Sequence, residues 1–259
     1  MKQRYKLLAI GMTSAFSIAT GVQAQQDQPE PTPVVEIFPC TYRDNNDVDN
    51  LRTVGARFNT WADRNSMTNY TAFIATPYAY SAELEADVLW LGGWPNGTAM
   101  GVAETRWLAE GSEVAAAFDA VVECNSHSLY AEVVVNQPSG PPPENAGIAM
   151  FEDCTVREGR TADEALGAIE QWNDYTKSRG GDAFSAVLFP LAGLGNEADY
   201  TFKIVTGFNS MEAFGKGVDM YTGGGFMRAE QLFSRLLECN SPRVYTLERV
   251  RLAAEQPSG

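Results

Sequence analysis

Along the chain, apolar positions switch between strand and helix periodicity in an order that occurs twice. Residues 34–41 form a short apolar run of strand type, after which Val48, Leu51, Val54, Phe58 and Trp61 recur at helical spacing. Thr71–Ala79 and Val88–Trp94 are rich in β-branched and aromatic residues and predict two strands. A helical region interrupted at Glu110-Gly111 follows, and residues 129–135 close the series as a strand. The second half returns to the same order. Leu166, Ile169, Trp172 and Thr176 mark a helix, and residues 184–191 and 200–208 mark strands. A helical region broken by Thr222-Gly223-Gly224-Gly225 and a final strand over residues 244–250 complete it. The predicted class is α+β.

Residue identities support a duplication. Cys40-Thr41-Tyr42-Arg43 matches Cys154-Thr155-Val156-Arg157, Phe58-Asn59 matches Trp172-Asn173, and Gly93-Trp94 matches Gly207-Phe208, all at an offset of 114. Glu123-Cys124-Asn125-Ser126 matches Glu238-Cys239-Asn240-Ser241 at 115, and Tyr130 matches Tyr245. An ordered series at near-constant offset divides the chain into repeats at 34–136 and 147–255. Pro-rich polar spacers lie at 25–33 and 137–146, and a short tail at 256–259. Each repeat then reads as a βαββαβ, or ferredoxin-like, unit. In such a unit the first strand and the second helix end at the same sheet edge. That favours Cys40–Cys124 with Cys154–Cys239 over bridges between the halves or four reduced thiols. The third strand of the first repeat is apolar on both sides, with Val88, Trp90 and Trp94 opposite Leu89 and Leu91. Both of its faces must therefore be covered, and the two sheets are expected to pack face to face within one chain.

Composition narrows the function. With 33 acidic and 19 basic residues the net charge is −14, which excludes nucleic acid as a partner. One histidine and four widely spaced cysteines make no metal site, and no cofactor is expected. Residues 1–24 have a basic start (Lys2, Arg4, Lys6), an apolar centre and a Val22-Gln23-Ala24 cleavage pattern, as in a secretory signal peptide. Its removal takes the charge to −17 and leaves no membrane-spanning segment, so a periplasmic or secreted location with bridged cysteines is expected.

At this point the chain resembles the dimeric α+β barrel superfamily, which includes the antibiotic biosynthesis monooxygenase-like domains. The resemblance rests on the duplicated units and on Trp94-Pro95-Asn96-Gly97 and Phe208-Asn209-Ser210-Met211, where a strand-ending aromatic precedes a small polar residue and a helix. It implies a closed barrel made by two fused units, a monomer whose halves act as a pseudo-dimer. Haem-binding members carry a helix-borne histidine about nine residues past that aromatic. Here those positions are Ala103 and Gly217, which argues against haem, while His127 reads as a loop or strand-start residue beside the first bridge.

The candidate ligand-binding residues are Asn59 and Asn173, repeated at the edge of the first helix's apolar stripe, with Trp61, Tyr78, Trp90, Trp94, Trp172 and Phe208 as aromatic walls. Arg43 and Arg157 are a symmetric pair of anion contacts, or else surface ion pairs with Asp44 and Glu158. The asparagines read more readily as helix-to-strand ties, and the aromatics more readily as core. TGGGF lacks the spacing of a phosphate loop and reads as a helix break. Three functions remain open. The first is an exported barrel that binds a small apolar or aromatic molecule. The second is a cofactor-independent monooxygenase acting on an electron-rich phenol, and the third an interaction module with a fully packed barrel. Catalytic residues are not assigned.

Overall fold

The computed structural model describes residues 31–140, 146–195 and 198–254. The expected signal peptide, residues 25–30 and 141–145 of the spacers, and the tail at 256–259 lie outside the described residues. The first half runs β1 (Val34–Tyr42), α1 (Val48–Arg64), β2 (Thr71–Ala79), β3 (Val88–Trp94), α2 (Gly97–Glu110), α3 (Ser112–Asp119), β4 (Val122–Cys124) and β5 (Ser128–Asn136). The second runs β6 (Ala146–Val156), α4 (Ala162–Ser178), β7 (Phe184–Ala192), β8 (Phe202–Phe208), α5 (Met211–Met220), α6 (Phe226–Phe233), β9 (Leu237–Cys239) and β10 (Arg243–Arg251).

Local chemistry sets these boundaries. Asp47 caps α1 by accepting from the backbone N–H groups of Asp49 and Asn50, and Thr161 with Glu164 forms a reciprocal capping box at the start of α4. The helix breaks fall where the sequence places them. Gly111 separates α2 from α3, and a π turn over Tyr221–Gly225 joins α5 to α6. In that turn Gly224 takes φ 118°, a conformation that a residue with a Cβ rarely adopts. The expected strands appear within two residues of their bounds. The short β4 and β9 are additions, formed where each second helical region gives way to a cysteine.

The long strands form a closed antiparallel barrel of eight, ordered β10-β2-β3-β1-β5-β7-β8-β6 and back to β10, with β4 paired to β1 and β9 to β6. The expected face-to-face stack of two sheets is thus realised differently, because the halves join through their edges. β5 pairs with β7 from Leu129↔Ala192 onward, and β10 pairs with β2 from Val244↔Ala79 onward. A simple stack leaves rows of unpaired N–H and C=O groups at the sheet edges, and closure removes them.

Both expected disulfides are present, Cys40–Cys124 and Cys154–Cys239, with Cα–Cα distances of 3.9 and 4.1 Å. Each joins directly opposed residues of β1/β4 or β6/β9. Asn125 N–H donates to Pro39 O, and Asn240 N–H to Asp153 O, beside the two bridges. This is the pattern of a non-hydrogen-bonded pair, where opposed side chains come closest.

Strand alternation sorts the core into an inside and two outsides. Ile37, Ala75, Leu89, Leu91, Tyr130, Phe151, Leu188 and Tyr245 fill part of the barrel. Outside it, Phe58, Trp90, Trp94 and Val114 pack under α1–α3, and Ile169, Val187, Phe202 and Leu237 under the helices of the second half. The two apolar faces of β3 are explained by this arrangement. Among the described residues no helix is long and apolar enough to cross a membrane.

Candidate functional site

The barrel is not filled along its whole length. A cavity of 580 Å³ runs from its interior to the end where β1 begins and β3, β5, β8 and β10 finish. Inward-facing residues of these strands wall it, including Val35, Phe73, Leu91, Phe151, Leu188 and Val205. Gly93 and Gly207, near the ends of β3 and β8, also line it and add no side-chain bulk. The walls are mostly apolar, with Asn69, Thr71, Gln137 and Asn209 as uncharged polar groups and two charged residues. Glu132 of β5 shares its face with the buried Tyr130 and lines the cavity, and burial pushes its carboxyl above the ordinary carboxylate range. Arg249 of β10 lines it from the opposite wall and has a partner of its own.

The opposite end of the barrel is closed by a charged and phenolic layer. Lys203 pairs with Asp153, and Arg243 Nη2 approaches the same carboxylate at 2.8 Å. Burial drives the Lys203 ammonium below its ordinary range, against the pull of Asp153. Its Nζ lies 4.1 Å from the centre of the Tyr200 ring, and the Tyr200 and Tyr130 hydroxyls meet at 2.9 Å.

A second buried polar network lies outside the barrel, between β1, β3 and α2. Glu36 is 5% exposed; Tyr70 Oη donates to it at 2.5 Å and His127 Nε2 sits 2.8 Å from its other oxygen. Trp90 Nε1 donates in turn to Tyr70 Oη at 2.9 Å, and Phe38 stacks on the His127 ring at 3.9 Å. Glu104 of α2 faces this group; burial first, and Glu36 second, push its carboxyl up. Gly92 makes the arrangement possible, since a Cβ there would land on Tyr70 Oη and Glu36 Oε1.

Of the sequence candidates, Trp94 and Phe208 reach the cavity. The others lie elsewhere. Asn59 Nδ2 donates to Val250 O at 2.6 Å, tying α1 to β10, and Asn173 donates to Ile169 O and Ser185 Oγ. Trp61 donates to Glu110 O, Trp90 serves the Glu36 network, and Trp172 packs against Tyr175, Tyr221 and Phe233. Tyr78 is exposed at the end of β2. Arg43 and Arg157 form ion pairs, but with Glu123 and Glu238, each at 3.2 Å, rather than Asp44 and Glu158. The cross-strand residue beside each disulfide is nearer than the chain neighbour. Among the described residues the one group spaced like metal ligands is Glu152, Cys154 and Cys239, and its sulfurs are bridged to each other.

Sequence reasoning missed Glu36, Tyr70 and Glu132. The available signal was strand parity, which puts Glu132 on the same face as Tyr130.

The closed eight-stranded antiparallel barrel with helices packed outside has the fold expected from the resemblance to the dimeric α+β barrel proteins. Solved structures with the same fold align along most of this chain. A candidate monooxygenase from Fusobacterium nucleatum subsp. nucleatum has 7% identity and a TM-score of 0.57, over 86% of this chain and 94% of its own. An anthrone oxidase-like protein has 15% identity and a TM-score of 0.52, over 86% and 96%. A haem-binding protein from Thermus thermophilus has 14% identity and a TM-score of 0.50, over 83% and 91%. At these identities the likeness is one of fold. No family model and no curated protein matches the sequence. A histidine-ligated haem does not fit the residues present. The single histidine spends Nε2 on Glu36 in a loop, and the space under α1–α3 is packed with Phe58, Trp90, Trp94, Trp107 and Phe118.

Proposed function

We propose that the chain is an exported, soluble barrel that binds a small apolar or aromatic molecule in the cavity between its two halves. The observation that carries this reading is the 580 Å³ space inside the barrel, apolar on most of its wall. Its volume suits a ligand the size of a fused-ring aromatic. A fully packed interaction module would not need such a space. Export is supported by the signal-like start and by two disulfides, which persist in oxidising compartments. The ordered series of repeated residues and the matching strand order support a tandem pair of ferredoxin-like units, 34–136 and 147–255, acting as a pseudo-dimer in a monomer. Native mass spectrometry of the purified protein, followed by calorimetric titration with neutral aromatic compounds, tests the binding. A bound mass or a saturable heat is expected, and the absence of both overturns the proposal.

The fold neighbours favour one further reading, a cofactor-independent monooxygenase acting on an electron-rich phenol, since two of them are a candidate monooxygenase and an anthrone oxidase-like protein. In that reading the reacting polar group is not Asn59 or Asn173, whose amides are spent away from the cavity. Oxygen uptake with a panel of phenols separates an enzyme from a binder.

A further inference from the structure

Glu132 is an unusual residue for the wall it occupies. Its carboxyl faces a cavity lined by Val35, Leu91, Phe151, Leu188 and Val205, and no side chain among the described residues pairs with it. Its strand is otherwise satisfied, with Glu132 N–H donating to Pro33 O at 2.9 Å. Glu132 is half-buried, and a carboxylate partly withdrawn from water without a partner is costly, so in natural proteins such groups are paired, protonated or used. The other charged residue lining the space among those described, Arg249, stands on β10, four strands away around a ring of eight and so on the facing wall. It already has a partner.

We infer that the cavity selects a lipophilic amine, an aromatic or alicyclic body bearing one ammonium group that pairs with Glu132. This rests on the binding reading above and names the chemical class of its ligand. Three observations converge on it. The ligand's cation supplies Glu132 with the counter-charge that no described side chain gives it, Arg249 across the cavity having its own partner, and a charge-assisted hydrogen bond in a water-poor site is stronger than a neutral one. A hydroxyl supplies a donor but leaves the carboxylate's charge uncompensated. Phe73, Phe151 and Phe184 line the same space and supply aromatic surface for a ring system with a cation near it. The chain carries a net charge of −14, so its field draws cations inward and repels anions.

Three probes with one skeleton test the inference by calorimetry on the full mature chain: naphthylmethylamine, naphthylmethanol and naphthoate. The amine is expected to bind at least tenfold more tightly than the alcohol, and the carboxylate more weakly than either. In Glu132→Gln the amine's advantage over the alcohol should vanish, while an unchanged circular dichroism spectrum and melting transition report an intact fold. Equal affinity of amine and alcohol, a preference retained in E132Q, or tightest binding of naphthoate overturns the amine inference and leaves the cavity as a binding site. Failure of all three probes to bind, in a chain that native mass spectrometry also finds ligand-free, overturns the binding reading itself.

Discussion

Adding one methyl group to Gly92 separates packing from chemistry in the first half. Gly92 lies opposite Glu36 across the β1–β3 ladder, and its Cβ would occupy the space where Tyr70 Oη meets Glu36 Oε1. The backbone there is not in the left-handed region, so Gly92→Ala acts through contact alone. Two costs follow. Forcing a methyl into a filled site typically costs about 1–3 kcal/mol. Driving Tyr70 off a buried carboxylate that holds a 2.5 Å hydrogen bond leaves that group short of a donor, at about 1–3 kcal/mol more. A combined loss of about 4 kcal/mol lowers Tm by roughly 8–16 °C for a chain of this size. Gly93 is the control. It is the next residue on the same strand and faces the cavity, where a Cβ would come no nearer than 3.6 Å to Val34 O. Gly93→Ala should change stability by less than about 1 kcal/mol, because ordinary contact and a stiffer unfolded chain roughly offset. Differential scanning calorimetry of both variants decides. Equal melting temperatures for the two would refute the account of a tightly packed Tyr70–Glu36 contact.

Two other outcomes test the surrounding structure. Burial pushes the Glu152 carboxyl from 4.5 up to about 6. Its folded pKa is raised, so the native state binds the extra proton, and stability is highest below the unfolded pKa and falls as pH rises from about 4.5 to 6. Glu152→Gln should remove this dependence, gaining about 2 kcal/mol relative to the parent at pH 7 and little at pH 4, as read by urea unfolding at both pH values. Asn59→Ala breaks the 2.6 Å bond to Val250 O and should cost about 1–3 kcal/mol in urea unfolding while leaving cavity affinity unchanged. Reduced affinity at unchanged stability would instead move Asn59 into the binding site.

The elements were legible in the sequence because each carries one dominant signal. β3 is a short, unbroken apolar run, α1 and α4 show helical spacing, and the cysteines recur at matched offsets. Closure of the barrel was less visible. Whether β5 joins β7 or remains an edge depends on backbone groups that every residue possesses, so Ser128–Asn136 reads the same either way. Site residues were missed for a related reason. Glu36 within VVEIFP and Glu132 within YAEVVV look like the solvent side of half-buried strands. Their burial comes from α2 and from the opposite barrel wall, both distant in sequence. The repeated asparagines show the reverse error. Asn59 and Asn173 share an offset but serve different partners, a strand carbonyl in one half and a helix carbonyl with a serine hydroxyl in the other.

Because β10 pairs with β2 on one side and β6 on the other, the last of the described strands in chain order is also the clasp of the barrel. A nascent chain ending before Arg243 has everything except closure and presents two open sheet edges, each ready to recruit another strand. Closure of the barrel therefore waits on this one strand. Loss of that nine-residue strand favours sticky, intermolecularly paired molecules over a looser barrel.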